Sequence, residues 1–463
     1  MEPSLLLLHG RRPRSLARLL SAVSASPWPA SLFLFLLGVG AYCANHRLIA
    51  ANDSRPAQLI PFSILLDRTV TLDRFYAEET GGAAGLERMP ADARMRYYHL
   101  TPARGRLYST YPIALPVLVT PLYVPVVWAR RGDGWSTGEV LRLAPTMEKR
   151  AAAVVAALSV VAMYWLLSAL ADRRLALVLA LGFAFGTTTW TTSSQALWQH
   201  GAGVLFILLS LAVLARRPDR AWLAGLFAGV AMAIRPTNLF FWIALVLVGA
   251  WTSRSLARTA ALALPGALAG AATAAYNWVV FHDLRGGYAP YARPDTGFRG
   301  NFAEGLAGVL ASPSRGLFVY SPFLLAGVAG LYVAWRRGLF RGTPVYAVAA
   351  LFLASQLVCI AAWVPWWGGY SYGPRLLTEA AAVLVVLSVP AAELYRRRRW
   401  AAAAFAVLLA YSVGVQALGA FAYGRGDDWN DTPVSVELRP GRLWDWRDSQ
   451  IRREAADLLA SAR

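Results

Sequence analysis

The chain has 463 residues, 57% of them hydrophobic and only 15% charged, a balance that a single water-soluble core of this size cannot hide. The formal net charge of +19 does not point to nucleic acid, because the arginines fall in short clusters between apolar stretches, as topology signals do. The two cysteines, Cys43 and Cys359, each lie inside an apolar stretch and indicate neither a disulfide framework nor a thiolate metal site.

At the amino terminus Arg11, Arg12, Arg14 and Arg18 precede an apolar run from Trp28 to Ala44. That run is longer than a signal-peptide core, so it reads as a retained first helix with its amino terminus in the cytoplasm. Further stretches long enough to cross a hydrocarbon layer of roughly 30 Å follow. The expected spans are 28–50, 150–171, 175–193, 200–215, 220–235, 238–252, 257–281, 316–335, 343–366, 375–392 and 400–423. The fold class is thus all-α: a polytopic transmembrane bundle of about eleven spans. With the first span running outward, the basic turns at 172–174, 216–220, 254–258, 336–337 and 396–399 all fall in the cytoplasm, as the positive-inside rule requires.

That parity holds only if Tyr111–Trp128 does not cross. Pro112, Pro116, Pro121 and Pro125 interrupt this stretch, and each removes a backbone hydrogen bond that lipid cannot replace. A broken helix at the interface is the better reading, and 51–149 becomes one large outer region. Within it, 57–76 mixes Leu59, Ile60, Ile64, Leu65 and Leu72 with charges and reads as an interfacial amphipathic helix. The expected organisation is a basic cytoplasmic terminus over 1–27, a bundle over 28–423 and a short non-cytoplasmic tail over 424–463, folded against the outer loops.

The cytoplasmic turns hold no phosphate-binding glycine pattern, and the spans carry almost no mid-membrane acid or base, which argues against a coupled transporter. Chemistry is therefore sought in the outer segments. Asp53, just after the first helix, holds a carboxylate near the outer surface, where it can act as a general base; the alternative is a helix-end acid paired with Arg55 or solvated. Asp67 and Asp73 read as a solvated face. Cations for a carrier phosphate are offered by Arg104, Arg106, Arg315 and Arg375, each of which can instead simply anchor a helix. Trp367, Tyr370 and Tyr372, among the glycines of 366–375, combine sugar-stacking faces with close backbone approach; an interfacial aromatic belt is the other reading. Gln195, Trp198 and His200 bind sugar hydroxyls or cap a helix, and His200 can relay a proton.

These elements resemble the GT-C class of integral-membrane glycosyltransferases, especially the bacterial relatives of protein O-mannosyltransferases and of lipid A aminoarabinose transferases. The resemblance is carried by Asp53 after the first helix, the long outer region, Gly105-Arg106-Leu107-Tyr108-Ser109-Thr110-Tyr111-Pro112, Gln195–His200, Ser312–Phe318 and Trp367–Arg375. It spans roughly residues 28–423. It implies inverting transfer from a polyprenyl-phosphate sugar at the non-cytoplasmic face of the cell inner membrane, with Asp53 as base and Arg106 and Arg375 on the phosphate. The sequence departs from the class at Asn52-Asp53, where paired acids are common, and in its short tail, so a glycolipid or envelope glycan acceptor is expected. No cofactor is expected, and the site is metal-independent or recruits a divalent ion weakly. The alternatives are a lipid-linked glycan flippase and an oligosaccharide polymerase or ligase with a diphosphate-linked donor.

Overall fold

In the computed structural model, residues 27–49, 51–130, 134–291, 297–424 and 428–461 are described. Most of the expected basic terminus over 1–27, including its four arginines, lies outside the described residues.

Every expected span holds helix, although 28–50 is helical only to Cys43 and 343–366 only to Ala361. Six helices are long and apolar enough to cross a membrane by themselves: Thr137–Leu170, Gln199–Arg216, Pro236–Ser253, Leu256–Phe281, Pro344–Ala361 and Arg399–Phe421. Between them lie the shorter Pro27–Cys43, Arg173–Gly186, Ala221–Ile234, Leu325–Arg336 and Thr378–Leu387. Several of these are lengthened by 3-10 or π turns where sequence breaks the α ladder. Arg173–Gly186 continues into a π turn over Thr189–Ser193 after a Gly-Thr-Thr break, and Leu325–Arg336 is preceded by Leu317–Tyr320 and a turn begun by Pro322.

Glycine lets the helices approach closely, the packing that bundles use when lipid supplies no hydrophobic drive. A Cβ on Gly225 would lie 2.3 Å from the Leu262 carbonyl, and one on Gly330 would lie 1.9 Å from that of Leu387. Helix Leu256–Phe281 meets the bundle along this glycine-lined side only; Leu264 and Leu268 on its other side are exposed, an apolar face suited to lipid.

The chain alternates between two ends. At one, Arg216 bonds the Trp165 carbonyl and Ser168, Arg341 lies over Trp251, and Arg396 pairs with Asp172. The basic turns therefore share an end. Along Thr137–Leu170, Lys149 and Leu170 are separated by roughly 32 Å at 1.5 Å per residue, about one hydrocarbon thickness.

Beyond the other end, the outer region is more than a loop with surface helices. It is a packed layer with its own core, in which Leu59, Ile60, Phe62, Leu72, Leu100, Leu107 and Tyr123 close on Val140 and Ala144 of the long helix. The amphipathic helix expected over 57–76 is not continuous. Arg55–Phe62 passes into a π turn at Ser63–Asp67, Arg68 takes a left-handed φ of 53°, and a new helix starts at Asp73. Leu59 and Ile60 are buried in the layer. Its strands Leu100–Ala103 and Arg106–Ser109 form an antiparallel hairpin whose two-residue turn, Arg104-Gly105, has both φ values positive, the pairing favoured by strand twist. The proline-rich stretch is broken as expected, into Ala114–Val119, Thr120–Leu122 and Val124–Ala129.

The tail packs back onto the end of the bundle opposite the basic turns. Trp429, Val436 and Leu443 join the main core, and Gln450, the first residue of helix Gln450–Ser461, is fully buried.

Candidate active site

Past the first helix the chain makes a 3-10 turn over Asn52–Ser54, fixed by the Ser54 hydroxyl donating to the Ala51 carbonyl at 3.0 Å. This turn aims Asp53 inward. Its Oδ2 accepts from Nη1 of Arg375 at 2.6 Å, and its Oδ1 accepts from the hydroxyls of Tyr98 at 2.6 Å and Tyr111 at 2.7 Å. The partner is therefore Arg375, contributed from 322 residues away, rather than the neighbouring Arg55. Tyr98 and Tyr111 flank the two arms of the outer hairpin, so that element carries both phenols to one carboxylate oxygen.

Arg375 is positioned by the glycine-rich turn before it. Gly368, at φ 73°, presents its carbonyl to Nη2 of Arg375. Gly373, at φ 66°, leaves room for Tyr320, whose ring a Cβ would approach to 2.7 Å. The guanidinium carbon lies 4.0 Å from the centre of the Trp198 ring, a cation–π contact on its face, while its Nη1 and Nη2 are taken by Asp53 and the Gly368 carbonyl. Nε of Arg375 is buried and has no hydrogen-bond partner.

The Asp53 side chain is 22% exposed. Burial pushes its carboxyl up, but the charge and hydrogen bond of Arg375, with the two phenolic hydrogen bonds, outweigh burial and hold it below the usual aspartate value. The carboxylate is thus ionised at neutral pH. The phenols respond in reverse: burial and the adjacent negative charge keep Tyr98 and Tyr111 protonated as donors.

Beneath this pair lies a cluster that the sequence reading missed. Glu379, fully buried, accepts from Arg235 at 2.7 Å and lies 3.1 Å from Nδ1 of His200. It sits one helical turn past Arg375 and braces Trp198 through His200, two residues on. Glu379 lies at the end of the expected span 375–392 rather than in mid-membrane, and as a lone acid beside an apolar stretch it is the signal that could have flagged this cluster. A second polar layer joins Glu148 to Gln58 at 3.1 Å and to the Leu197 amide at 3.0 Å.

The candidates separate accordingly. Asp53, Arg375 and Trp198 come together. His200 is a brace bound to Glu379. Gln195 is spent internally, accepting from Asn45 and Lys149 and donating to the Trp190 carbonyl. Tyr372 is core, its hydroxyl on the Val415 carbonyl at 2.8 Å, and this corrects its reading as a sugar face. Arg315 is corrected too. Its five N–H donors go to the carbonyls of Trp367, Ser314 and Gly369 and to Gln450 and Asn430, leaving nothing for a phosphate. Arg104 and Arg106 are exposed at the hairpin tip, and Arg106 lies 3.9 Å from Asp73. That tip is roughly 15 Å of strand from Tyr111, so the structure does not bring either arginine to Asp53. Trp367 packs edge-on against Trp366. Tyr370 lies at the rim, its hydroxyl bonded to Asp431 at 2.6 Å. Among the described residues no three His, Cys, Asp or Glu side chains gather to hold a metal ion.

No family model and no curated protein matches the chain. Two solved structures are similar to it. One is the apo form of the Archaeoglobus fulgidus oligosaccharyltransferase, at 15% identity and a TM-score of 0.42, covering 89% of this chain and 59% of that one. The other is the same organism's oligosaccharyltransferase AglB in complex with an inhibitory peptide and a dolichol-phosphate, at 14% identity and a TM-score of 0.43, covering 90% and 59%. This chain spans 59% of their length.

Proposed function

We propose that the chain is a membrane glycosyltransferase that moves a sugar from a polyprenyl-phosphate carrier to a glycolipid or cell-envelope glycan, on the non-cytoplasmic face and with inversion. One observation carries this reading: an ionised carboxylate and a stacked guanidinium are held in direct contact at the bundle end opposite the basic turns. Positive-inside placement supports a non-cytoplasmic position for that end, where an interfacial phosphate and an acceptor hydroxyl can meet.

In the proposed step the acceptor O–H gives its proton to Asp53 as its oxygen attacks the anomeric carbon. The bond from that carbon to the phosphate oxygen breaks, and its electron pair leaves on the polyprenyl phosphate. Arg375 binds the donor phosphate and neutralises the charge that grows on it. In-line attack opposite the departing phosphate inverts the anomeric configuration. The site also couples binding to base strength. A phosphate that draws Arg375 away from Asp53 removes the charge that depresses the carboxyl, making it a stronger base only when a donor is present. No step in this scheme calls on a metal.

The test is release of polyprenyl phosphate from a panel of radiolabelled polyprenyl-phosphate sugars, by purified protein in liposomes containing envelope lipid extract. Release that is lost in Asp53→Asn supports the transferase and names its donor. No release from any donor by folded wild-type protein would overturn the reading in favour of lipid-linked glycan transport or a diphosphate-linked oligosaccharide donor.

A further inference from the structure

The far end of the bundle has a feature that transfer at Asp53 does not use. Between helices Arg173–Gly186 and Arg399–Phe421 lies a cavity of about 340 Å³, open to the surface and closed at one side by Ser388 and Ala392. Its floor is apolar, built from Leu175, Val178, Leu179 and Phe405. Val178 is 44% exposed. Deeper in, the space between the two helices is filled, because Leu409 and Phe323 pack directly on Gly182.

The mouth is charged. Arg174, Arg396 and Asp172 line it, and Asp172 is already committed: one oxygen accepts from the Arg174 and Leu175 amides as a helix cap, and the other pairs with Arg396. Two guanidinium groups against one carboxylate leave the mouth positive. Arg173 and Arg397–Arg399 adjoin it in sequence, against the single further acid Glu393, so the surrounding field is positive. Along Thr137–Leu170, the distance of roughly 32 Å from the Lys149 layer to this end puts the mouth at the opposite bilayer boundary from Asp53. A cationic rim over an apolar slot at that depth matches an amphiphile with an anionic head.

We propose that this cavity seats an anionic phospholipid of the leaflet on the basic side, with its phosphate on Arg174 and Arg396 and the start of one acyl chain on Val178, Leu179 and Phe405. Charge complementarity selects an anionic occupant over a zwitterionic one. The slot selects a bilayer lipid over a soluble phosphate. The inference does not depend on the chemistry at Asp53.

Native mass spectrometry of the delipidated full chain, titrated with dioleoylphosphatidylglycerol or dioleoylphosphatidylcholine, tests it. Wild type is expected to retain one phosphatidylglycerol at least tenfold more tightly than phosphatidylcholine, about the effect of two basic side chains. The double variant Arg174→Gln/Arg396→Gln is expected to lose that preference. Val178→Trp keeps both arginines but fills the slot, and it is expected to lose the retained lipid as well. Equal retention of the two lipids by wild type would overturn the proposal. So would a preference that survives Val178→Trp and falls equally in Arg336→Gln/Arg337→Gln, which would show a diffuse basic surface instead of a site.

Discussion

Replacing Arg375 with glutamine separates its two assigned roles. A guanidinium 2.6 Å from the Asp53 oxygen, with charge centres about 4 Å apart, contributes on the order of 4 kcal/mol at the effective dielectric of a partly buried site. A leaving phosphate that lost the same cation would forfeit a comparable amount, so kcat/KM is expected to fall by about 10²–10³-fold. The second effect is on pH dependence. Transfer that needs ionised Asp53 is present above its pKa and is lost as pH falls through it. In the kcat/KM profile of wild type, which reports the donor-free site, that limb lies below the ordinary aspartate range, because Arg375 and the two tyrosines together outweigh burial. In Arg375→Gln burial is opposed only by the two tyrosines, so the limb moves to higher pH. The assay is polyprenyl phosphate release against pH for both proteins in liposomes. A variant that loses activity while its acid limb stays put would refute the coupling of Arg375 to Asp53, and undiminished activity would remove Arg375 from the phosphate.

Other outcomes follow from the same geometry. Glu379→Ala leaves Arg235 buried without its carboxylate and is expected to cost about 3–5 kcal/mol, seen as a lower melting temperature in detergent, with Glu379→Gln milder. Arg315→Lys retains the charge but has fewer donors for five buried or half-buried acceptors, and a loss of about 2–5 kcal/mol is expected by the same measurement; unchanged melting would show that the tail and the glycine turn are held by other contacts. Dialysis against EDTA is expected to leave transfer intact, since metal independence is part of the proposal, and restoration of a lost rate by Mg²⁺ or Mn²⁺ would contradict it.

The bundle was legible because membrane helices announce themselves by apolar length and by arginine-bounded turns, and each expected span holds helix. Asp53 and Arg375 were legible as candidates, but their contact was not, since residues 322 apart leave no local trace. The outer layer was less readable. Its hairpin, whose arms lead to Tyr98 and Tyr111, was hidden because each strand has only four residues, and the helix over 57–76 was overestimated because Pro61 and the left-handed Arg68 break a pattern that composition alone favours. Arg315 and Tyr372 carried the right chemistry for a site and were recruited to hold the tail and the turn instead. Whether a cation or an aromatic serves a ligand or the protein depends on which acceptors and rings surround it, and that is settled only by tertiary packing.

The most direct test of the account uses one variant and two readings. In Asp53→Asn, donor binding and single-turnover sugar transfer are measured on the same preparation in liposomes. The account predicts donor affinity reduced by no more than a few-fold and a transfer rate lower by about 10²–10⁴-fold, the usual worth of a positioned base. Transfer at the wild-type rate, with the donor bound, would contradict the assignment of Asp53 as the base.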